Sequence, residues 1–336
     1  MNTMKLVDRV YGEIEITDPA ALAIIQAPAF DRLWRIKQNG PVGIANPSWV
    51  TSRAEHCIGV YHLLRMFGAS REEQLAGLVH DVNHVAFSHL VDWLIGDEAN
   101  QEGHADFISV NPHLAAIKQI IIDQGLDGEA IMDYSRYPLL EQPAPDLCAD
   151  RIDYTFRDGL CSEQTSPNEI TRFVENLSSE NGQFVMKDLD IAEDFARLSI
   201  DIHIIREGNW GNALYKTIVR LLKRAMRDGL LTREDFLFDD DRVYAIMKAV
   251  KGPEAELFFA WEQAGAPIEQ GTPDDFHLQV WSKIRYIDPL VPTPQGLKRV
   301  SELRPGFAEI LKHYRLLRGN ASQVKYPAAF TGLTAL

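Results

Sequence analysis

Cysteine is scarce: Cys57, Cys148 and Cys161 are the only three in 336 residues, and no two form a C-x-x-C pair. A disulfide framework and a cysteine zinc knot are therefore excluded, and the thiols read as packing groups. Positive charge is also short, with 34 Lys and Arg against 48 Asp and Glu and a net charge of −14. Broad binding to nucleic acid or to an anionic membrane needs the opposite field. A phosphorylated ligand would have to be held by a few placed cations or by a metal. Long apolar runs are missing too. The fairly apolar stretch 19–30 is broken by Pro19, Gln26 and Pro28 and followed by Asp31 and Arg32, so it is neither a signal sequence nor a membrane span. A cytoplasmic protein is expected. There is no repeat, no low-complexity tract and no Gly/Ser linker, and the longest like-charge run is Asp239-Asp240-Asp241.

What the chain does have is 46% hydrophobic residues, enough for a sizeable core, spaced mostly at helical intervals. Ile58, Tyr61 and Leu64, then Leu75, Leu78 and Val79, then Leu90, Leu94 and Ile95 recur at three- and four-residue steps. The pattern predicts an all-α fold with helices over 54–67, 72–82, 86–95, 101–109, 114–124, 146–159, 169–176, 190–206, 211–227, 233–237, 240–250, 254–264 and 304–317. Strands are expected only between Asp8 and Ile16 and between Gln183 and Met186, at most as a short hairpin. The alternating VYGEIEI suits such a hairpin and carries little functional weight. The turn-prone SSENG at 178–182 divides a core over 1–180 from a mainly helical extension over 181–336.

Chemistry concentrates in the first half. His80-Asp81 closes the apolar segment EEQLAGLVHD, His56 lies on the preceding helix and Asp150 opens a later one. Imidazole and carboxylate from three helices suit a divalent first-row metal, which holds water or a phosphate oxygen and lowers the water's pKa. One buried His beside an Asp is usually just a core residue. Here the surrounding text reads R-x-E-H at 53–56, H-D-x-x-H-x-x-F-S-H at 80–89 and D-R-x-D-Y-x-x-R-D at 150–158. Asp150, Tyr154 and Asp158 share one helix face by their four-residue spacing. Arg157 and Asp158 read equally as a solvated charge pair or as substrate contacts.

These stretches resemble the HD superfamily of phosphohydrolases, and within it the deoxynucleoside-triphosphate triphosphohydrolases. The resemblance runs from AFDRLWRIKQNG at 29–40 through SRAEHCIGVYHLL and LAGLVHDVNHVAFSHLVD to CADRIDYTFRDGL, with weaker similarity at YKTIVRLLKRAM and KIRYIDPLV. It implies an all-α HD domain whose metal ligands are His56, His80, Asp81 and Asp150. It further implies that Arg53 and Lys216 contact phosphate, that Gln38 lies near the sugar, and that Tyr154 and Asp158 contact the nucleoside. His84 and His89 match histidines beside the phosphate and the ester oxygen. The family's catalytic histidine falls at Gln101-Glu102, a departure that leaves His104 as the nearest replacement and Asp92 as the acid to pair with it. The proton donor is accordingly His84, His89 or His104.

The expected reaction is hydrolysis of a dNTP to deoxynucleoside and tripolyphosphate. A nucleoside monophosphate phosphatase, a phosphodiesterase and a catalytically weak nucleotide sensor are the alternatives. Iron, manganese, zinc, nickel and magnesium all suit the ligands, and a second metal fits where phosphate oxygens complete its shell. Homo-oligomerisation is implied by the resemblance alone. The segment after Val250 does not resemble the nucleotide-sensing parts of regulated relatives, so allosteric control is not expected.

Overall fold

A computed structural model describes residues 3–96, 111–206, 208–318 and 320–336. Eight helices bear on the site: α1 (Arg53–Met66), α2 (Arg71–Val79), α3 (Leu90–Ile95), α4 (Ala149–Cys161), α5 (Leu189–Arg206), α6 (Asn209–Arg227), α7 (Asp240–Ala249) and α8 (Pro253–Gln263). Their starts follow local chemistry. Ser52 and Glu55 form a reciprocal capping box on α1, Ser70 caps α2 and Asp239 caps α7, each satisfying backbone donors that the first turn leaves unpaired. The predicted helix over 101–109 lies outside the described residues.

Two predicted helices are shorter than expected, and both differences matter. The segment 72–82 stops at Val79, so His80 and Asp81 stand in the turn that follows. The segment 86–95 becomes helical only at Leu90, because Phe87 and Ser88 adopt φ of 59° and 53°, in the left-handed region where a helix cannot run.

The all-α expectation is corrected by the sheets. Among the described residues, nine short strands form four small sheets. β1 (Met4–Asp8) pairs with β2 (Gly12–Ile16), and β3 (Leu177–Glu180) with β4 (Gln183–Met186). The C-terminal part, expected to be a helical extension, holds the rest. β5 (Glu269–Gln270) and β6 (Leu278–Val280) flank β9 (Ser322–Lys325), while β7 (Leu290–Thr293) and β8 (Gly296–Arg299) form a hairpin. Strands of two to four residues are too short to show a period-two pattern, and β9 finds its partners some fifty residues upstream through tertiary packing.

Buried apolar side chains gather in two clusters. The first draws on residues between Ile14 and Val82, between Ile117 and Ile202, and between Ile287 and Tyr314. The second draws on Val85 to Leu94, on Ala213 to Val280, and on Val324, Tyr326 and Leu333. The chain crosses from one to the other between Val82 and Val85, immediately after His80-Asp81. Segment 236–240 clasps this seam. Ala86 N–H donates to Phe236 O at 2.9 Å, Arg32 Nη1 to Phe238 O at 3.3 Å, and Phe87 N–H and Lys37 N–H to the Asp240 carboxylate at 2.6 and 2.8 Å.

Candidate active site

Three helix ends from the first cluster converge on one point. The capping box fixes the first turn of α1 and sets Arg53 and His56 three residues apart on one face. The end of α2 delivers His80 and Asp81, and the start of α4 delivers Asp150 in a first turn, where the helix dipole favours a carboxylate. His56 Nε2 lies 2.8 Å from Asp150 Oδ1 and 3.2 Å from His80 Nε2. His80 Nε2 lies 3.5 Å from both Asp81 Oδ1 and Asp150 Oδ1, and His56 Nε2 is 3.9 Å from Asp81 Oδ2. Metal bonds of about 2.0–2.2 Å place neighbouring donor atoms about 3.0–3.5 Å apart, a window that holds the separations of 3.2 and 3.5 Å, with those of 2.8 and 3.9 Å just outside it. His56, His80 and Asp81 thus form one mutually close group, and Asp150, which also groups with Glu141 and Cys148, stands against its two imidazoles.

The imidazoles are also turned the right way. His80 Nδ1–H donates to Gly77 O and His56 Nδ1–H to Asp153 Oδ2, both at 2.7 Å. A carbonyl and a carboxylate only accept, which leaves both Nε2 lone pairs directed at the centre. Two lone pairs 3.2 Å apart repel unless a cation lies between them. Asp81 is paired with Arg53, and Asp153 and Asp8 with Arg157, while the Asp150 carboxylate faces the imidazoles of His56 and His80.

Titration behaviour reflects the same field. Burial pulls the His80 imidazole down, but Asp81 and Asp150 outweigh it and hold the group well above its ordinary value. Burial pushes the Asp81 carboxyl up, and Arg53, His80 and His84 bring it well below the usual range. A site that stabilises positive charge on an imidazole stabilises it on a metal as well.

A cavity of about 280 Å³ opens over this centre. Arg53, nearly fully buried, reaches it with Nε donating to Ser88 Oγ at 2.8 Å and Nη1 bonded to Asp81. Gln38, Tyr154, His84 and His89 line the cavity as well. His84 Nε2 is 3.2 Å from Asp81 Oδ1. His89 Nδ1 is 3.0 Å from Asp92, a carboxylate with no exposed surface, and the His84 and His89 rings meet edge to face at 5.1 Å. Asp92 therefore pairs with His89; His104 lies outside the described residues.

Two expected substrate residues stand off the cavity wall. Asp158 is fully buried and accepts from Asn39 Nδ2 at 2.8 Å, and it is Asn39 that lines the cavity. Arg157 is likewise at 0% exposure, so the solvated-pair reading of these two residues is corrected. The Lys216 ammonium lies over the Trp281 and Trp93 rings, 4.8 and 5.9 Å from their centroids.

Other lining residues were missed from sequence. Glu141, pushed up to about 7 by burial and by Asp150, comes from a loop with no motif. Tyr215, Lys283 and Arg285 also face the cavity. The stretch KIRYIDPLV carried a weak signal for the two cations, although no spacing singled them out. Asp153 stood in plain view within DRIDY, three residues after Asp150, and only the structure shows it behind His56.

No family model matches the chain. It is 35% identical over 294 residues to the uncharacterized protein YdhJ of Bacillus subtilis, covering 86% of this chain and 88% of that one. It is 26% identical over 313 residues to the metal-dependent phosphohydrolase cns2 of Cordyceps militaris, covering 90% and 88%. A shorter match, 35% over 108 residues, is to the human deoxynucleoside triphosphate triphosphohydrolase SAMHD1, covering 27% of this chain and 17% of that protein. Among solved structures, a phosphohydrolase from Bacteroides thetaiotaomicron shares the fold at TM-score 0.67 and 15% identity, over 96% of this chain and 98% of that one. A hypothetical protein from Aquifex aeolicus does so at 0.62 and 20%, over 91% and 93%. With a His/Asp centre on this scaffold, the chain belongs to the HD-type metal-dependent phosphohydrolases, in the same family as YdhJ. No helix among the described residues is long and apolar enough to cross a membrane.

Proposed function

We propose that the chain hydrolyses nucleotides, converting a deoxynucleoside triphosphate to deoxynucleoside and tripolyphosphate. The supporting observation is that one cavity joins the His/Asp centre to three cationic side chains, Arg53, Lys283 and Arg285, in a protein whose net charge is −14. Cations gathered against the overall field point to a polyanionic substrate. An ion held by His56, His80, Asp81 and Asp150 would act as a Lewis acid on a phosphoryl oxygen and lower the pKa of a water.

The remaining work falls to the chain's own groups. Arg53, immobilised by Ser88 and Asp81, stabilises charge on the phosphate nearest the centre. Lys283 and Arg285 hold phosphates further along. His89, its Nδ1–H donated to Asp92, gives a proton from Nε2 to the leaving oxygen when the ring is the doubly protonated imidazolium, which the Asp92 carboxylate stabilises, with His84 between it and Asp81. Tyr154 lies beside the sugar. Asp158 acts through Asn39, and Lys216 packs on Trp93 of the cavity wall and on Trp281.

A phosphomonoesterase or phosphodiesterase is the second reading. Its support is that the relative matching nearly the whole chain carries only the broader phosphohydrolase name, while the triphosphohydrolase match covers 27%. Incubating metal-loaded wild type and Asp81→Ala with each dNTP, dNMP and a generic phosphoester, then resolving products by chromatography, separates them. Tripolyphosphate from wild type alone upholds the proposal. Inorganic phosphate from monophosphates selects the second reading, and metal-dependent stabilisation by nucleotide without turnover makes the protein a sensor.

A further inference from the structure

The β1–β2 hairpin, which has no place in the chemistry so far, reaches the metal centre through an unbroken line of buried charge. Asp8 ends β1. Its Oδ1 accepts from Val10 N–H at 2.8 Å and Tyr11 N–H at 3.1 Å, closing the hairpin turn. Its Oδ2 accepts from Arg157 Nη2 at 2.9 Å. Arg157 then donates through Nε to Asp153 Oδ2 at 2.7 Å and through Nη2 to Asp153 Oδ1 at 3.2 Å, and Asp153 Oδ2 accepts from His56 Nδ1–H at 2.7 Å. The side chains of Arg157 and Asp153 have no exposure and that of Asp8 has 6%.

α1 is shaped around this pair. A Cβ on Gly59 would fall 2.1 Å from both Arg157 Nη2 and Asp153 Oδ1, so a residue that costs about 1 kcal/mol in a helix interior relative to Ala leaves the room that the pair occupies. Tyr11, half-buried with its hydroxyl buried beside the pair, is raised well above the usual phenol range by burial and then Asp153, and its ring covers Arg157.

The charges give the line a direction. If Arg157 faced Asp153 alone, the two would neutralise each other and Asp153 would polarise His56 weakly. Asp8 takes a share of the guanidinium, so the three groups carry one net negative charge, felt at His56 Nδ1–H. A carboxylate behind a ligating imidazole makes its other nitrogen a better donor. We propose that Asp8 is a positioning residue which, through Arg157 and Asp153, strengthens the hold of His56 on the metal. The proposal rests on reading His56 as a ligand and is independent of what the substrate is.

The test is Mn²⁺ titration of the full chain after chelator stripping, with free Mn²⁺ followed by electron paramagnetic resonance and no substrate present. Asp8→Asn keeps the shape and the acceptor for the hairpin turn, and removes the charge together with the acceptor facing Arg157. We expect it to weaken Mn²⁺ binding about three- to tenfold, and Asp153→Asn about 10- to 100-fold. In the Asp153→Asn background, Asp8→Asn should add nothing, because the route is already cut. Lys5→Gln, which removes only the exposed pair with Glu13 on the same hairpin, should bind as wild type does. Wild-type affinity in folded Asp8→Asn overturns the proposal, as does the same loss in both backgrounds. Should Asp8→Asn fail to fold, Arg157→Lys is read by the same two criteria, since a lysine cannot bond both carboxylates as the fork does. A wrong substrate assignment would leave every one of these affinities unchanged.

Discussion

The two sides of the cavity are built differently. On the first-cluster side, His56, His80, Asp81 and Asp150 sit at helix ends, and the non-ligating nitrogens of His56 and His80 are tied to Asp153 and Gly77. On the other side, His89, Asp92 and Trp93 belong to α3 and its lead-in turn, Tyr215 to α6, and Lys283 and Arg285 to the irregular stretch between β6 and β7. The metal side is pre-organised within one packed unit. The substrate side is assembled across a seam, so metal affinity and turnover should come apart on mutation.

The largest effect should come from the metal side. Asp81→Ala removes a ligand and leaves Arg53 with a buried, unpaired charge, and metal-dependent turnover should fall by at least about 10³-fold, with bound metal lost in elemental analysis. Retention of metal with normal turnover would break the distinction between the two sides at its root. Next comes His89→Asn on the seam side, which should lower kcat by about 10²–10³-fold while metal content stays at the wild-type level. A loss below tenfold would transfer the proton to His84 or His104. Smaller again is Arg285→Ala, expected to raise KM about tenfold with kcat held, because an outer phosphate is bound equally before and during the reaction. A kcat loss instead would bring Arg285 into the transition state.

The metal side was also the legible side. Its proposed ligands come from R-x-E-H and D-R-x-D in the first turns of α1 and α4 and from H-D in the turn after α2, so each could be read as a short local motif. Asp153 escaped because its role depends on which way His56 turns, and that is decided by packing between α1 and α4. On the other side, Lys283 and Arg285 stand in a stretch with no period. The Phe87-Ser88 turn could not be foreseen because neither residue favours positive φ; the Asp240 carboxylate and the Phe236 carbonyl hold that segment in place from some 150 residues away. Helices with a face to bury announced themselves, whereas the two- to four-residue strands after residue 268 did not, which is why an all-α reading fitted the first half better than the second.

The seam itself carries the smallest and most specific expectation. Asp240 has its carboxyl pushed up to about 7 by burial, against the opposing donors Phe87 N–H and Lys37 N–H. Between the ordinary carboxyl value of 3.8 and about 7, the folded chain holds a proton that the unfolded chain has released. The folded state therefore binds more protons across that window, and stability contributed at low pH is lost as pH rises through it. Asp240→Asn abolishes the titration while leaving one oxygen to accept from Phe87 or Lys37. The pH 5 to pH 8 change in unfolding free energy, from urea melts of metal-stripped protein, should be less unfavourable in the variant than in wild type by up to about 2.5 kcal/mol. Identical slopes would mean that Asp240 is ionised throughout and holds the two loops as a fixed anion. In either case the variant should lower turnover more than it lowers metal affinity, because Asp240 touches the lead-in to His89 and none of the four ligands.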